Sequence, residues 1–198
     1  MQAAIIHYGV GNINHLYKYF ETFGFKTKII NSAKNLSNYD LLILPGVGSY
    51  TSAMNFLNKN KLTDQIQMHD KLGKKIIGIC LGFQLLGSFS MENNVKTQGL
   101  GFFKLNFMRL NTLDGYVSQK IPHIGWNIPI GHNCSFYYLH AYASQFKNQS
   151  GYDKIEYVNY DGVKFVSMIE HSNKLGVQFH PEMSGGNFDL YLSNFLQK

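Results

Sequence analysis

The sequence predicts an α/β fold in which a mostly parallel central sheet is flanked by helices and extended by an antiparallel β-rich addition in the second half. In the first half, short apolar runs alternate with segments of helical periodicity, the order typical of a parallel sheet covered on both faces. In the second half, short β-like runs succeed one another with turn residues between them. The 198 residues contain no repeat, linker or low-complexity tract, so we predict one domain over residues 1–198.

The first half divides into β-loop-α units. Its apolar runs predict strands at 3–7, 25–30, 39–44 and 74–79. Pro45 and Gly46 end the third of these strands. Helical periodicity predicts helices at 13–23, in two segments of 50–72, and at 81–89. Asn12 is the expected N-cap of the first helix, and a short turn or helix is expected around Asn35.

The second half is dominated by β-like runs. They predict strands within 101–110, 123–130, 135–143, 154–160, 163–171 and 174–182. The dipeptide Asp161-Gly162 supplies a turn between two of them. Residues 185–197 predict a closing helix.

The composition fits a folded protein and disfavours several classes of partner. Hydrophobic residues make up 44% of the chain, which is not the composition of a disordered protein. The net charge is +6, but the lysines are scattered and Arg109 is the only arginine, so no nucleic-acid-binding surface is predicted. No apolar run reaches the length of a membrane span, and the amino terminus lacks the features of a signal peptide. We therefore expect a cytoplasmic protein that binds neither nucleic acid nor membrane.

Neither a cofactor nor a metal is predicted. Residues 8–12, YGVGN, begin like a dinucleotide-binding loop, but Asn14 replaces the third glycine of that pattern. The histidines lack the paired spacing of a metal site, and the two cysteines, Cys80 and Cys134, form no zinc signature. Two cysteines also make no disulfide framework, in keeping with a reducing compartment.

The most informative stretch is GICLG, residues 78–82. A nucleophile with a glycine two positions away on either side, between a strand and a helix, is the signature of a nucleophile elbow. The tight turn strains the backbone of the nucleophile, and the glycines prevent collisions with the strand and the helix. The start of a helix also favours a thiolate over a thiol. These features predict Cys80 as a nucleophile, against the alternative of a buried structural cysteine.

A cysteine nucleophile needs a base, and GVQFHPE at residues 176–182 offers one. His180 ends a β-like run, Pro181 terminates the strand, and Glu182 is close enough to orient the imidazole. Cys80, His180 and Glu182 therefore form a candidate triad, since triads are defined by geometry and not by order along the chain. For HPE alone, the alternative is a strand-end histidine beside a solvent-facing glutamate.

Acyl chemistry at a thiolate also needs hydrogen-bond donors for the developing oxyanion. The backbone N–H of Leu81, directly after the nucleophile, is one candidate. The loop PGVG, residues 45–48, is the second, because it leaves its strand at the sheet edge where ligand sites lie and its glycines let a backbone N–H approach closely. For this loop alone, an ordinary Pro-Gly strand exit is the alternative.

Together, GICLGFQLL, PGVG and GVQFHPE resemble the class I glutamine amidotransferase family across essentially the whole chain, which implies a flavodoxin-like fold. PHIGWN at 122–127 and YYLHAY at 137–142, with YGVGN, resemble the glutaminase subunits of imidazole glycerol phosphate synthases within that family. The resemblance implies a glutaminase that hydrolyses L-glutamine to glutamate and ammonia through Cys80, His180 and Glu182.

The same resemblance implies further site residues. The backbone N–H groups of Val47 and Leu81 would hold the oxyanion. Trp126 and Asn127 would lie at a partner interface, with Trp126 as a packing anchor. Glutamine-contacting positions are implied at Gly46, Gly48, Gln84, His140, Ala141 and Tyr142.

The implied partner is a (β/α)8-barrel cyclase that forms a heterodimer with the glutaminase. It would receive the ammonia through its barrel for the synthesis of imidazole glycerol phosphate in histidine biosynthesis. A dry channel preserves ammonia, because in water at neutral pH most of it is protonated and no longer nucleophilic. We expect low glutaminase activity without the partner and its ligand.

Departures from the family pattern leave the acceptor of the ammonia open. The family usually has Asp in place of His7, Ser in place of Ala141 and Lys in place of Met183. One alternative is a paralogous amidotransferase that supplies ammonia for amidine formation on a bacterial surface-polysaccharide sugar. Another, of a different class, is a catalytically silent scaffold subunit, against which the intact triad argues.

Overall fold

The structure is a computed structural model that describes residues 1–9, 13–32, 36–117, 120–146 and 151–198. The expectations of Asn12 as a helix cap and of a turn or helix around Asn35 lie outside these residues. The helices are α1 (Ile13–Glu21), α2 (Tyr50–Lys59), α3 (Leu62–Lys71), α4 (Leu81–Leu85) and α5 (Asp189–Gln197).

The predicted strands are present in the predicted order, and two short strands at 89–90 and 97–98 are additional. Those of the first half are β1 (Gln2–Ile6), β2 (Lys26–Ile30), β3 (Leu41–Leu44), β4 (Lys75–Ile79), β5 (Phe89–Ser90) and β6 (Thr97–Gln98). Those of the second half are β7 (Asn106–Arg109), β8 (His123–Asn127), β9 (Phe136–His140), β10 (Tyr142–Ala143), β11 (Lys154–Tyr160), β12 (Val163–His171) and β13 (Lys174–Val177).

A seven-stranded sheet forms the centre of the fold, in the order β11-β12-β13-β4-β3-β1-β2. From β13 to β2 all neighbouring strands are parallel, whereas β12 is antiparallel to both β11 and β13. The predicted α/β class, with its mostly parallel sheet and antiparallel addition, is confirmed. No helix in the described ranges is both long and apolar enough to cross a membrane.

The central strands are apolar along their whole length because both faces of the sheet are covered. In β1, Ala3 and Ile5 belong to the core that includes side chains of α1 and α5. Ala4 and Ile6 belong to the opposite core, with side chains of α2, α3 and α4. Successive side chains of a strand point to opposite faces, so a strand buried on both sides loses the alternation of polar and apolar residues.

The neighbouring parallel strands β4 and β13 bring distant parts of the sequence to one edge of the sheet. Ile79, the last residue of β4, is paired with Val177, the last residue of β13. The Cys80 N–H continues this ladder by donating to the Val177 carbonyl at 2.7 Å. Residues that follow these strands therefore meet at the carboxyl edge, where open parallel sheets bind ligands.

The remaining strands form two small sheets, one in the order β10-β7-β5-β6 and one pairing β8 with β9. The single strand expected over 135–143 is interrupted at Ala141, because β9 pairs with β8 and β10 pairs with β7. The strands expected within 101–110 and 123–130 are confined to β7 and β8.

Three predicted helices are shorter than expected, and the first of them, expected over 13–23, ends at Glu21. The helix expected over 81–89 ends with α4, because Ser88 N–H bonds to the Leu105 carbonyl at 2.8 Å and the chain then pairs with β7 as β5. The closing helix starts at Asp189 rather than at 185, because Gly185 and Gly186 have φ angles of 61° and 81°, outside the right-handed helical region.

Candidate active site

Cys80 occupies a strained turn between β4 and α4. Its φ is 49° and its ψ is −104°, a combination that non-glycine residues rarely adopt and that costs free energy unless the surroundings enforce it. The residue is buried, with 4% of its surface exposed. This is the backbone geometry that the GICLG motif predicts for a nucleophile elbow.

The flanking glycines are required by close backbone contacts. A Cβ on Gly78 would lie 2.7 Å from the Gly82 carbonyl oxygen and from the Phe83 nitrogen. A Cβ on Gly82 would overlap the carbonyl oxygen of Leu44 at the end of β3. Strand, elbow and helix therefore pack more closely than any side chain at these two positions would allow.

His180 follows β13 and is held in place by hydrogen bonds to its backbone and ring. Its N–H donates to the Tyr137 carbonyl at 2.8 Å, and Nδ1 lies 2.9 Å from Oε1 of Glu182. Because an ionised carboxylate can only accept, Nδ1 carries the proton that points at Glu182. Nε2 is buried and has no hydrogen-bond partner among the described residues, so it is the ring nitrogen available for proton transfer.

Gly46 lies between the side chains of Cys80 and His180. A Cβ at this position would lie 3.0 Å from Cβ of Cys80 and 3.0 Å from Cε1 of His180, so both side chains border the same backbone atom. The Cys80 thiol donates to the Leu139 carbonyl at 3.4 Å. The structure thus brings Cys80, His180 and Glu182 to one edge of the sheet. Cys80 also contacts Gln178, which lies 98 positions later in the sequence.

The charge state of His180 responds to its neighbours. Burial alone would lower its pKa, but a thiolate on Cys80 and the Glu182 carboxylate outweigh burial and raise that pKa from 6.5 to about 10. The His180 ring is therefore protonated at neutral pH and would form an ion pair with a thiolate on Cys80.

We expect the His180 ring to stay protonated at pH 8, where a histidine of ordinary pKa is neutral, and to lose its proton only as the pH rises through about 10. The chemical shifts of its ring nitrogens, followed by NMR between pH 6 and 11, would measure this. Replacing Cys80 by Ala removes the largest favourable charge, so the midpoint in Cys80→Ala should fall. Equal midpoints in the two proteins would contradict the ion pair.

The loop at residues 45–48 is in a conformation that leaves the predicted oxyanion site incomplete. The Leu81 N–H donates to the Gly46 carbonyl at 3.4 Å. In a trans peptide the C=O and N–H point in opposite directions, so the N–H of Val47 faces away from that of Leu81. The buried Tyr8 hydroxyl donates to the Pro45 carbonyl and anchors the start of the loop.

Two cavities meet at this loop. The first, of about 280 Å³, lies on the sulfur side of the site. Its lining includes all the residues implied for oxyanion and glutamine binding, namely Gly46, Val47, Gly48, Leu81, Gln84, His140, Ala141 and Tyr142. Cys80, Glu92, Pro122 and Leu139 also line it. The second, of about 240 Å³, lies on the histidine side and includes His180, Glu182, Tyr137, Leu139, Met183 and the loop residues Pro45 to Val47. The Gly46–Val47 peptide and Leu139 are common to both.

His140 is placed by a buried hydrogen-bonded chain of side chains. Its Nδ1 lies 2.9 Å from the Tyr142 carbonyl, which can only accept, and its Nε2 lies 3.1 Å from Nδ1 of His123. The Asn127 amide donates to the Asn159 carbonyl at 2.9 Å and lies 3.5 Å from Nε2 of His123. Burial lowers the pKa of His123 to about 4 and, with the effect of His123, holds that of His140 well below its usual range. Both rings are therefore neutral hydrogen-bonding groups.

The two residues implied for a partner interface differ in their surroundings. Trp126 is 56% exposed and packs edge-to-face on Tyr137, so it is available to a partner. Asn127 directs its amide into the chain, where it bonds to Asn159 and to the Ile128 N–H. The structure therefore gives Asn127 a positioning contact inside the subunit, and its place at an interface stays a prediction.

Some residues of the site have no signal in the sequence patterns. Glu92 lines the sulfur-side cavity, and its carboxylate accepts from the Ser49 hydroxyl at 2.7 Å and from the Thr51 N–H at 3.3 Å. The buried Ser184 hydroxyl donates to the His180 carbonyl at 2.6 Å and accepts from the Tyr137 N–H at 3.1 Å. Gln178 lies inside GVQFHPE, yet only the folded chain shows that its amide reaches the sulfur.

No group of three or more His, Cys, Asp and Glu side chains in the described ranges is arranged to hold a metal ion. The polar groups at the carboxyl edge of the sheet are a thiol, an imidazole and several amide and carboxylate groups. This combination suits attack on a carbonyl carbon and transfer of an acyl group to the sulfur.

Comparisons with known proteins agree with this chemistry. A family model described as glutamine amidotransferase class-I matches residues 4–198. The chain is 36% identical to the imidazole glycerol phosphate synthase subunit HisH of Caldanaerobacter subterraneus, over 96% of this chain and 95% of that one. It is also 36% identical to the subunit of the same name from Haemophilus influenzae, over 98% of this chain and 96% of that one.

A solved structure supports the fold independently of close sequence similarity. A crystal structure of a glutamine amidotransferase superposes with a TM-score of 0.76 over 99% of both chains, at 15% identity. The resemblance inferred from GICLG, PGVG and GVQFHPE is confirmed. The chain belongs to the class-I glutamine amidotransferases, a family of enzymes.

Proposed function

We propose that the protein is a glutaminase subunit that hydrolyses L-glutamine and passes the ammonia to a (β/α)8-barrel cyclase for the synthesis of imidazole glycerol phosphate. One observation carries the catalytic part: a strained Cys80 and a Glu182-oriented His180 border the same glycine at the carboxyl edge of the sheet. The pathway is supported by the relatives, which are imidazole glycerol phosphate synthase subunits similar over nearly their whole length.

The reaction begins with the thiolate–imidazolium pair. The Cys80 sulfur attacks the side-chain carbonyl carbon of glutamine, and the carbonyl oxygen becomes an oxyanion. When the oxyanion collapses, the C–N bond breaks, His180 gives its proton to the leaving nitrogen, and ammonia and a thioester result. The neutral His180 then takes a proton from water, whose hydroxide attacks the thioester. Collapse of the second oxyanion breaks the C–S bond and restores the pair.

The sulfur-side cavity is suited to glutamine. Its volume of about 280 Å³ fits a small amino acid, and one wall carries the Glu92 carboxylate, which we assign to the α-ammonium group of the substrate. Gln84 and the segment from His140 to Tyr142 line the same cavity and would contact the rest of the substrate backbone. The Gln84 amide is fixed by donating to the Tyr142 carbonyl at 3.0 Å.

The loop at residues 45–48 provides a reason for dependence on a partner. For Val47 and Leu81 to donate to one oxyanion, the Gly46–Val47 peptide must rotate and break the Leu81 to Gly46 hydrogen bond. Gly46 and Gly48 lower the barrier to such a rotation, and Gly48 already has a φ of 125°. We propose that binding of the cyclase and its ligand favours the rotated state.

The histidine-side cavity supports a route for ammonia. It begins beside His180, the group that protonates the leaving nitrogen, and is lined largely by apolar groups that include Leu139 and Met183. Tyr137 lines this cavity and also packs on the exposed Trp126, which connects it with the proposed partner surface. An apolar passage excludes water and so keeps ammonia unprotonated. We place the heterodimer in the cytoplasm, where this biosynthetic reaction would occur.

The function is tested by glutamate release from glutamine, measured for the chain alone, with the cyclase subunit, and with the cyclase plus the histidine-pathway ribonucleotide. We expect little release alone and stimulation of about 100-fold or more by partner and ribonucleotide together, because both are needed for a complete oxyanion site. Stimulation that needs the partner but ignores the ribonucleotide would point to the sugar acceptor instead. No release under any condition would favour a silent scaffold.

The proposed interface is tested in the same assay by Trp126→Ala. Loss of a large exposed aromatic anchor typically costs about 2 kcal/mol of binding, so the cyclase concentration for half-maximal stimulation should rise roughly 30-fold. Leu72→Ala is the matched control, because Leu72 is 54% exposed but lies just before β4, at the opposite edge of the sheet. Equal effects of the two substitutions would contradict the interface.

A further inference from the structure

We infer that the side-chain amide of Gln178 is a catalytic hydrogen-bond donor to the Cys80 sulfur, which favours the thiolate before attack and again when sulfur leaves the thioester. Nε2 of Gln178 lies 3.6 Å from Sγ of Cys80, within hydrogen-bonding range of sulfur. The inference rests on the proposed function, because it assigns Gln178 a part in that same reaction.

The position of Gln178 is unusual for its residue type. It directly follows β13 and is completely buried, although glutamine is mostly found at protein surfaces. Its backbone N–H donates to the Ser167 carbonyl at 2.8 Å, so the strand pairing fixes the point from which its side chain extends. Burying a side-chain amide costs free energy unless its polar atoms are hydrogen-bonded.

The hydrogen-bond network determines which end of the Gln178 amide faces the sulfur. The Tyr142 carbonyl can only accept, so the Gln84 atom 3.0 Å away is its NH₂ group. The same NH₂ group lies 3.3 Å from Gln178, which must therefore present its oxygen to Gln84. The NH₂ group of Gln178 is left to face Cys80, and it can donate to a thiolate as well as to a thiol.

The other groups around the sulfur do not replace this donor. The Leu139 carbonyl, 3.4 Å from Sγ, accepts a hydrogen bond from the thiol and thus stabilises the thiol form. His180 stabilises the thiolate while its ring is protonated, but the ring gives a proton to ammonia and regains one from water in every cycle, whereas the Gln178 amide keeps its protons throughout. Among the other titratable groups nearby, Tyr8 and His140 are held neutral by burial, and Glu92 would disfavour a second negative charge in the cavity.

Gln178 is therefore the neutral donor that persists through the whole cycle. During thioester hydrolysis, the C–S bond breaks and its electron pair passes to sulfur, while His180 holds the proton taken from water. A donor aimed at the sulfur stabilises this departing thiolate without taking part in proton transfer. The link through Gln84 also connects the sulfur with the segment that contacts the substrate.

The test is the rate at which Cys80 displaces iodide from iodoacetamide as a function of pH. It is done in a Cys134→Ser background, in which Cys80 is the only thiol of the chain. Gln178→Met keeps the side-chain volume but removes the donor. We expect alkylation at pH 7 to slow about three- to tenfold, the profile to move to higher pH, and the two rates to converge where both thiols are ionised.

A second variant and a control separate this effect from a general disturbance. Gln178→Glu places a carboxylate beside the sulfur and should slow alkylation further than Gln178→Met. Ser167→Ala removes the buried hydroxyl that bonds to Tyr138 at 2.6 Å and does not contact Cys80, so its profile should match the parent. A Gln178→Met profile that coincides with the parent would overturn the inference while leaving the glutaminase intact. A parent Cys80 that is unreactive and releases no glutamate would count against the proposed function itself.

Discussion

Cys80→Ala should abolish the release of glutamate by the chain together with the proposed cyclase, by about 10⁴-fold or more. The substitution removes the sulfur that would form the thioester, and no other Cys, Ser or Thr is among the described residues that line the sulfur-side cavity. Ala is no more strained than Cys at a φ of 49°, so the elbow should keep its shape. Glutamate release is measured at saturating glutamine, and thermal unfolding checks the fold.

Cys134→Ala is the matched control, because Cys134 is the only other cysteine and is part-buried away from both cavities. This variant should keep the activity of the parent. If Cys80→Ala retained more than a few per cent of the activity, the assignment of the nucleophile would be wrong. If both variants lost activity and melted early, the effect would be one of folding.

The triad residues could be predicted from their motifs, but the sequence placed the strand within 174–182 in the antiparallel second half, whereas the structure pairs β13 in parallel with β4. GICLG and GVQFHPE each follow an apolar run, and parallel strands end at the same edge of a sheet. The pairing of Val177 with Ile79 then brings Cys80 and His180 together. The glycine requirement at Gly78 and Gly82 also follows from a strand that turns directly into a helix.

The contacts that depend on the path of the second half could not be predicted. Glu92 lies between β5 and β6, and the position of this segment depends on the pairing of β5 with β7, a strand of the second half. Gln178 shares its motif with His180, but only the position of Gln84 determines which end of its amide meets the sulfur. The interruption of the strand at Ala141 likewise arises because β9 pairs with β8 and β10 pairs with β7, in two different sheets.

The orientation of the Gly46–Val47 peptide was also not predictable, because it is a choice between two states of one loop. In the structure the Leu81 N–H is used inside the loop, and the proposed active state requires that donor for the oxyanion. Under the proposed function, a site built this way would hydrolyse little glutamine alone, which would prevent loss of ammonia before a partner is bound. Gly46 also has no side chain, and this allows the loop to fit between the side chains of Cys80 and His180.

Gly82→Ala should destabilise the protein by about 3 kcal/mol and displace the nucleophile. The added Cβ would overlap the Leu44 carbonyl oxygen and lie 2.9 Å from the Leu44 Cβ. These atoms belong to the end of a central strand, so they cannot move aside as a flexible side chain could. For a chain of this length, we expect the melting temperature to fall by roughly 6–12 °C.

Gly24→Ala is the control for the effect of adding a methyl group to a glycine. Gly24 has a φ of 78° and no atom within 4 Å of the added Cβ, so only left-handed backbone strain of about 1 kcal/mol is expected. The two variants therefore separate collision from conformational strain. Equal melting temperatures would show that α4 can shift away from β3, in which case the close packing of the elbow would not be what fixes Cys80. A larger loss for Gly82→Ala, with glutamate release falling well beyond the unfolded fraction, would show that this packing holds the sulfur in place.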